Sequence, residues 1–209
     1  MYIPKINKIN DKDEIFRFIR ENPFAIIISN NNDEITATHT PVELLVKPDG
    51  SAVLRTHIAK ANPQWKNFTD ATELMVIFNG PHTYISSSWY NHINVPTWNY
   101  IAIHVYGKPK ILNREETIGL LNDLVTRFEQ HSEKPFSMQQ LDITYLDNHL
   151  KALVAFEIEI ERIDAKEKLS QNRDAHNFKL VIDHLDSRQD EQSKAIQAEM
   201  NRIKKKLFE

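Results

Sequence analysis

Residues 74–107, LMVIFNGPHTYISSSWYNHINVPTWNYIAIHVYG, form the stretch that decides the fold. The stretch contains no Asp, Glu, Lys or Arg, although 26% of the whole chain is charged. Because exposed surfaces carry frequent charges, most of it is predicted to be buried. Its aromatic rings alternate with neutral hydrogen-bonding side chains, a mixture that suits a flat, partly polar ligand or a subunit interface. A core hairpin whose polar groups satisfy one another is the equally weighted alternative.

Segments with strand patterns lie within this stretch and on both sides of it. The predicted strands are residues 24–29, 34–45, 52–58, 73–79, 82–87 and 97–112, separated by turns that include NNND at residues 30–33, KPDG at residues 47–50 and Gly80-Pro81. Six strands with short connections predict a closed antiparallel barrel, because closure removes exposed sheet edges. A further strand, residues 153–163, places its glutamates Glu157, Glu159 and Glu161 toward water and is predicted to close the sheet or to form its edge.

Helix signals separate and follow these strands, so the fold class is mainly β with peripheral helices. Asp11 begins a capping signal for a helix that Pro23 ends, and Asn62 with Pro63 begins a shorter one. A capping pattern at residues 113–116 begins a helix with the apolar stripe Ile118, Leu121, Leu124, Val125 and Phe128. A short helix near residues 144–150 follows.

The last part of the chain differs in composition. From Asp164 it becomes polar, and KEKLSQNRD is interpreted as a linker or loop. Two amphipathic helices follow, with the apolar rows Phe178, Val181, Ile182, Leu185 and Ile196, Met200, Ile203, Leu207. We therefore predict a barrel domain with packed helices over residues 1–163, and a C-terminal linker and helical appendage over residues 164–209.

The composition of the chain excludes several classes of site. There is no cysteine among the 209 residues, which excludes disulfides, thiolate metal sites and thiol nucleophiles. A net charge of −3 gives no general attraction to nucleic acid, and four glycines cannot form a Gly-rich phosphate loop. No run approaches the ~20 apolar residues of a membrane span, so no membrane partner and a cytoplasmic location are expected by default.

A concentrated candidate for anion binding lies in RTHIAKANPQW, residues 55–65. Thr56, His57, Lys60 and Asn62 could supply donors to a phosphate dianion, with Lys60 as the positive charge. The alternative is a turn at the end of a strand, with an exposed lysine and a satisfied histidine. We favour the phosphate interpretation, because the remaining concentrated cation cluster, at the C-terminus, suits the negative end of a helix dipole.

Protein-ligated metal and hydrolase sites receive little support. The histidines at positions 39, 57, 82, 92 and 104 match no common metal-ligand spacing, and the uncharged stretch offers no carboxylate ligand. The Ser86-Ser87-Ser88 run lacks the glycines that surround a nucleophile in hydrolases. We therefore predict no metal, and no catalytic residue is assigned.

The segments THTPVEL, THIAKANPQW, NGPHTYISSSWY, NVPTWNY, VYGKP and KLSQNR, taken together, resemble the FMN-binding negative transcriptional regulator family of bacteria, the PaiB-like proteins. The resemblance extends from the MYIP start to about Leu185. It implies a six-stranded split barrel related to pyridoxamine-phosphate oxidase, with a C-terminal helical appendage. It also implies a homodimer that holds FMN in two equivalent clefts between its subunits.

The resemblance assigns residues to that cleft. The phosphate end falls to Thr56, His57, Lys60 and Asn62. The ring would be bordered by Thr38, His39 and Pro41 from the second strand, by Ser86, Ser87 and Trp89 from the fifth strand, and by Trp98, Asn99 and Tyr100 from the partner subunit or the interface.

Three functions follow as alternatives. The first is a dimeric, flavin-dependent regulator that acts through a regulatory protein or a local DNA contact, although the chain shows no helix-turn-helix pattern and no basic face. The second is a small flavin oxidoreductase linked to NADH or NADPH. The third is a haem-binding or haem-degrading split-barrel relative with a histidine ligand.

Overall fold

The structure, a computed structural model, describes residues 1–31, 34–69 and 71–208. Its strands are β1 Phe24–Asn31, β2 Glu34–Pro41, β3 Glu43–Val46, β4 Ala52–Ala59, β5 Leu74–Ile85, β6 Thr97–Ile111 and β7 Leu153–Lys168. Its α-helices are α1 Lys12–Glu21, α2 Arg114–Glu129, α3 Ile143–Leu150, α4 Ala175–Ser187 and α5 Glu191–Phe208. The turn predicted at residues 30–33 includes Asn32 and Asp33, which lie outside the described residues.

The described strands form one seven-stranded sheet in the order β2-β1-β5-β6-β7-β4-β3. The pairs β1/β2, β1/β5, β3/β4 and β4/β7 are antiparallel. A mainly β fold with helices is thus confirmed, but the count of six strands is wrong.

The predicted strand over residues 34–45 is two strands, because the chain breaks at Pro41 and Val42. Proline has no N–H to continue a strand ladder. The N–H of Val42 instead donates to the carbonyl oxygen of Pro23 at 2.8 Å, and the Val42 side chain is fully buried. The chain after this break pairs with β4 rather than with β1.

The two strands predicted over residues 73–79 and 82–87 are one strand, β5, so the predicted turn at Gly80-Pro81 is wrong. A Cβ atom at Gly80 would lie 2.5 Å from the ring of Phe18. The glycine therefore makes room for a packed aromatic ring, which a sequence pattern does not distinguish from a turn.

The strand predicted at an edge, β7, lies inside the sheet between β6 and β4 and extends to Lys168. Its glutamates do not all face water, because Glu157 is only 7% exposed. The ammonium groups of Lys47 and Lys110 lie 3.6 and 3.5 Å from the Glu157 carboxylate. Two cations compensate the burial of this charge. The prediction that Glu157 faces water is therefore wrong.

The helices agree with the predictions more closely. Asp11 caps the start of α1 by accepting the N–H groups of Asp13 and Glu14. Asn62 caps the 3-10 helix Pro63–Asn67. α2 begins with the predicted capping box. Its buried residues are Thr117, Leu120 and Leu124, so the predicted stripe is correct at Leu124, whereas Phe128 is half exposed.

The C-terminal segment is more tightly integrated than a linker would be. The KEKLSQNRD segment continues β7 and then buries Leu169, Ser170 and Gln171. α4 and α5 bury the predicted apolar rows with the exception of Leu207, which is 37% exposed.

The chain forms two compact units, each assembled from separated segments. Unit 1 comprises residues 1–18, 78–104 and 164–209, and unit 2 comprises residues 19–77 and 105–163. The predicted boundary between residues 163 and 164 coincides with the end of unit 2. The predicted two-domain division itself stays a prediction.

Candidate functional site

A tight turn follows β4 in unit 2. The N–H of Asn62 donates to the carbonyl oxygen of Ala59 at 2.9 Å, which closes residues 59–62 into a β-turn. The backbone of Lys60 is held on both sides, because its N–H donates to Ala152 at 2.8 Å and its carbonyl accepts the Trp65 indole N–H at 3.0 Å. The Lys60 side chain is exposed, and its ammonium contacts no acceptor among residues 1–31, 34–69 and 71–208. The turn thus presents a fixed backbone and a free cation.

The side chain of Asn62 connects this turn to β2. Its Nδ2 group donates to the hydroxyl oxygen of Thr38 at 2.8 Å, and its Oδ1 atom accepts the N–H of Gln64 at 3.0 Å. Because Thr38 accepts this hydrogen bond, its own hydroxyl proton is left to donate elsewhere. Thr38 is half-buried, so that proton can reach a ligand.

The hydroxyl proton of Thr56 is already used. Thr56 is fully buried and donates to the carbonyl oxygen of Pro41 at 2.7 Å. Beside it, Thr40 donates to the carbonyl oxygen of His57 at 2.9 Å, and the two threonine oxygens lie 3.2 Å apart. These bonds join β2 to β4, two strands that lie at or near opposite ends of the sheet order. The hydroxyl of Thr56 therefore has a structural role.

His57 points to the opposite face of β4 from Thr56, because successive strand side chains alternate. Arg55, on the same face as His57, donates to Asp123 of α2 at 2.6 Å, so α2 covers this face. The Nδ1 atom of His57 is buried without a hydrogen-bond partner in the described part of the chain. Burial lowers the pKa of His57, which favours its neutral form.

The two other residues predicted from β2 occupy different environments. His39 is exposed, and its ring centroid lies 6.2 Å from that of Phe24. Pro41 is half-buried and contributes its carbonyl oxygen to Thr56. In unit 2 the structure therefore joins Thr38 of β2 to the turn that carries Lys60 and Asn62, and it separates the side chains of Thr56 and His57.

The predicted serines belong to a short turn in unit 1. Ser86 accepts the N–H of Ser88 at 3.2 Å, and their hydroxyl oxygens lie 2.8 Å apart. Ser87 begins a single 3-10 turn and is half-buried. Local hydrogen bonding therefore engages Ser86 and shapes this segment.

Trp89 packs against the C-terminal part of unit 1. Its ring stacks on the imidazole of His184 with centroids 5.0 Å apart and an interplanar angle of 11°. The guanidinium carbon of Arg188 lies 4.5 Å from the Trp89 ring centroid. These contacts attach α4 to the segment that carries Trp89.

Asn99 also holds the C-terminal segment. Its side chain is fully buried, and its amide group exchanges hydrogen bonds of 3.0 and 3.2 Å with the hydroxyl group of Ser170. The sulfur atom of Met200 lies 3.6 Å from the same amide nitrogen. Asn99 is thus a packing residue of unit 1.

Trp98 and Tyr100 line a cavity of about 310 Å³ in unit 1, together with Gly80 and His82. The Trp98 side chain is 52% exposed. Its ring centroid lies 6.2 Å from His82 and 6.1 Å from Tyr84. This open aromatic surface suits a flat ring or another protein surface.

Sequence reasoning missed two residues that organise the predicted group in unit 2. Thr40 supplies one of the contacts between β2 and β4 described above. Gln64 is 2% exposed and donates to Ser29 at 3.0 Å and to the carbonyl oxygen of Ile27 at 3.2 Å. Thr40 lies in THTPVEL and Gln64 lies in THIAKANPQW. Their positions beside the predicted residues were the signal that could have identified them.

Two features are absent from the described residues. No described helix combines the length and apolar character that crossing a membrane requires. Within the same ranges, no three His, Cys, Asp or Glu side chains are grouped so as to hold a metal ion.

Comparison with known families identifies the chain. Residues 1–162 match a family described as "Putative FMN-binding domain". The chain belongs to this FMN-binding family, which confirms the predicted family and supports FMN as its cofactor.

Individual relatives agree with this membership. The chain is 38% identical over 208 residues to "Protease synthase and sporulation protein PAI 2" of Bacillus subtilis (strain 168), an alignment that covers 99% of this chain and 100% of the relative. The predicted PaiB-like type is thereby confirmed.

Solved structures share the fold at low sequence identity. An FAD and haem binding protein from Mycobacterium smegmatis gives a TM-score of 0.58 at 13% identity, covering 82% of this chain and 78% of the other. The flavocytochrome Anf3 from Azotobacter vinelandii gives 0.53 at 12% identity, with 80% and 72% covered. At this identity the likeness concerns the fold alone.

Proposed function

We propose that the chain is a dimeric, flavin-dependent regulator that holds the FMN phosphate at the turn after β4. The observation that carries this proposal is that one turn carries both Lys60, whose ammonium is free, and Asn62, whose side chain holds Thr38 by a bond that leaves the Thr38 hydroxyl proton free. Both residues lie in the part of the chain that matches the FMN-binding family.

The donors at this turn fit a phosphate dianion. Lys60 supplies charge and donor protons, Thr38 supplies one hydroxyl proton, and Asn62 fixes the position of Thr38. The buried hydroxyl of Thr56 donates to Pro41 and therefore donates nothing to the ligand. Bound FMN would supply electron-transfer chemistry, and the protein would supply its position and electrostatic surroundings.

Contacts within unit 2 support the split barrel that the family resemblance implies. β2 lies at one end of the sheet order and β4 lies next to the other end. The Thr56 hydroxyl nevertheless donates to Pro41 of β2, and the Thr40 hydroxyl donates to His57 of β4. We propose that these bonds are part of barrel closure.

The dimer is supported by the exposed apolar surface of unit 1. Trp98 is 52% exposed, Val95 is 70% exposed and Ile93 is fully exposed. A second copy would cover these side chains and bring its own Trp98 and Tyr100 to the flavin ring, as the resemblance implies. Light scattering from the purified protein should give twice the chain mass, and a monomeric mass at all concentrations would contradict the dimer.

Replacement of Lys60 by alanine tests the phosphate site directly. Lys60→Ala should weaken FMN binding by about 2 kcal/mol, roughly 30-fold, because a charged hydrogen bond is lost. Riboflavin lacks the phosphate, so its affinity should be unchanged. Flavin fluorescence titrations of both ligands measure this difference.

The matched control is Lys66→Ala, which removes another exposed lysine from the adjacent 3-10 helix. It should leave both affinities unchanged. Equal losses of FMN and riboflavin affinity in Lys60→Ala, or no loss of either, would refute the assignment of Lys60 to the phosphate.

The regulatory role is supported by the full-length similarity to the sporulation protein PAI 2. Anaerobic addition of NADPH or NADH to the FMN-loaded protein distinguishes a regulator from an oxidoreductase. Loss of the flavin absorption at a catalytic rate would show an oxidoreductase. A regulator is expected to keep the spectrum of oxidised FMN. The location in the cytoplasm and a DNA or protein partner stay predictions.

A further inference from the structure

A cavity of about 430 Å³ lies in unit 2, in addition to the cavity described in unit 1. It is not lined by any of the residues predicted to contact FMN. It lies where the end of β6, the start of α2, α3 and the start of β7 meet. Its volume falls in the range of about 300–1,000 Å³ that is typical of small-molecule sites. The cavity is large enough for a ligand. Lys60 does not line it, although the turn at Lys60 adjoins it through the hydrogen bond from the Lys60 N–H to Ala152, between the lining residues Lys151 and Leu153.

One side of this cavity is apolar and firmly packed. Leu112, Leu153 and Ala155 line it, and Leu120 and Leu124 of α2 pack in the same hydrophobic cluster. The N–H of Leu112 donates to the carbonyl oxygen of Ala155 at 2.9 Å, which fixes β6 against β7 there. An apolar ligand group would therefore meet a preformed surface.

The rim of the cavity carries an excess of one positive charge. Arg114, Asp147 and Lys151 lie on it. A nitrogen atom of the Arg114 guanidinium lies 2.5 Å from an Asp147 carboxylate oxygen, but both side chains are about half exposed, so the pair is weak and can exchange partners. Lys151 is exposed, and its ammonium contacts no acceptor in the part of the chain that the structure describes.

We propose that this cavity binds a small amphipathic monocarboxylate. The apolar body of the ligand lies against Leu112, Leu153 and Ala155. Its carboxylate contacts Lys151 and the guanidinium group of Arg114, which matches the charge of the rim. This inference goes beyond the proposed FMN site and does not depend on flavin binding.

Octanoate, with 1-octanol as its neutral analogue, is a suitable probe. Calorimetric titration of the purified full-length protein should show octanoate binding more tightly than 1-octanol. In methyl NMR spectra, octanoate should shift the signals of Leu112, Leu153 and Ala155. The flavin absorption spectrum, recorded in parallel, shows whether octanoate perturbs the proposed FMN site, which adjoins the cavity at Ala152.

A charge reversal with a matched control locates the carboxylate. Lys151→Glu should weaken octanoate binding roughly 10- to 100-fold, the range for loss of a charged hydrogen bond, and should leave 1-octanol binding unchanged. Lys134→Glu makes the same charge change at another exposed position of unit 2 and should have little effect. Absence of octanoate binding, equal weakening in both variants, or methyl shifts confined to other residues would overturn the proposal.

Discussion

The hydroxyl proton of Thr56 is donated to Pro41, whereas that of Thr38 is free. We therefore expect Thr56 to contribute to stability and Thr38 to contribute to FMN binding. Thr56→Val should lower the free energy of unfolding by about 1–3 kcal/mol, because the Pro41 carbonyl loses the hydroxyl donor of the fully buried Thr56. Thr38→Val should lower FMN affinity about tenfold with a smaller effect on unfolding, because its proton is free for the ligand. Urea unfolding and flavin titration of both variants measure the two effects, and the reverse pattern would contradict these roles.

His57 should make stability depend on pH. Its pKa in the folded protein is lowered below the ordinary value of 6.5 by burial. Between these two pKa values the unfolded chain binds more protons than the folded chain, so stability is full above pH 6.5 and decreases as the pH falls through the folded-state pKa. The urea concentration at the unfolding midpoint should therefore decrease when the pH is lowered from 7.5 to 5. His57→Gln should make this decrease smaller.

The control for this pH effect is His39→Gln, at an exposed position on β2. It should leave the pH dependence of the urea midpoint close to that of the unmodified protein. An unchanged pH dependence in His57→Gln would show that the buried imidazole does not contribute.

Single residues also show how far sequence reasoning could go at this site. The sequence placed Thr38, Thr56, His57, Lys60 and Asn62 in two short segments, and the structure brings those segments together. Hydrogen-bond direction decides which hydroxyl proton is free, and it depends on three-dimensional neighbours that lie far apart in sequence. The sequence therefore predicts that these segments meet, and the structure distinguishes the hydroxyl donors within them.

At the scale of elements, local signals predicted helix starts better than strand boundaries. The capping box at Asn113 depends on atoms only a few residues apart, and the structure has it as predicted. Gly80-Pro81 has turn composition, yet the space that Phe18 requires decides its conformation. Glu157 has surface character, yet Lys47 and Lys110 compensate its burial from other strands. Long-range partners thus overruled the local pattern.

The capping box offers a test of that local signal. Asn113→Ala should lower the free energy of unfolding by about 1 kcal/mol, because the N–H of Glu116 loses its acceptor at the start of α2. The control, Asn122→Ala, lies at an exposed position inside the same helix and should be neutral or slightly stabilising. Urea unfolding measures both, and equal effects would contradict a specific capping contribution.

At the scale of the whole molecule, residues 164–209 should be required for unit 1 to fold. A chain ending at residue 163 lacks the partners of Asn99 and Trp89, which are Ser170 and His184. We expect amide hydrogen exchange in residues 78–104 of this truncated chain to be strongly accelerated. Retained protection there would show that the C-terminal segment is an independent appendage, as its composition first indicated.

The distribution of unit 1 over three distant segments also affects how the chain folds while it is made. All residues of unit 2 have been synthesised once residue 163 has been added, whereas unit 1 still lacks residues 164–209 at that stage. Residues 1–18 leave the ribosome before the other segments of unit 1, yet they must wait for α5 before that unit can be completed. Nascent chains that stall late in translation would therefore expose the apolar surface of an unfinished unit 1 to chaperones and proteases.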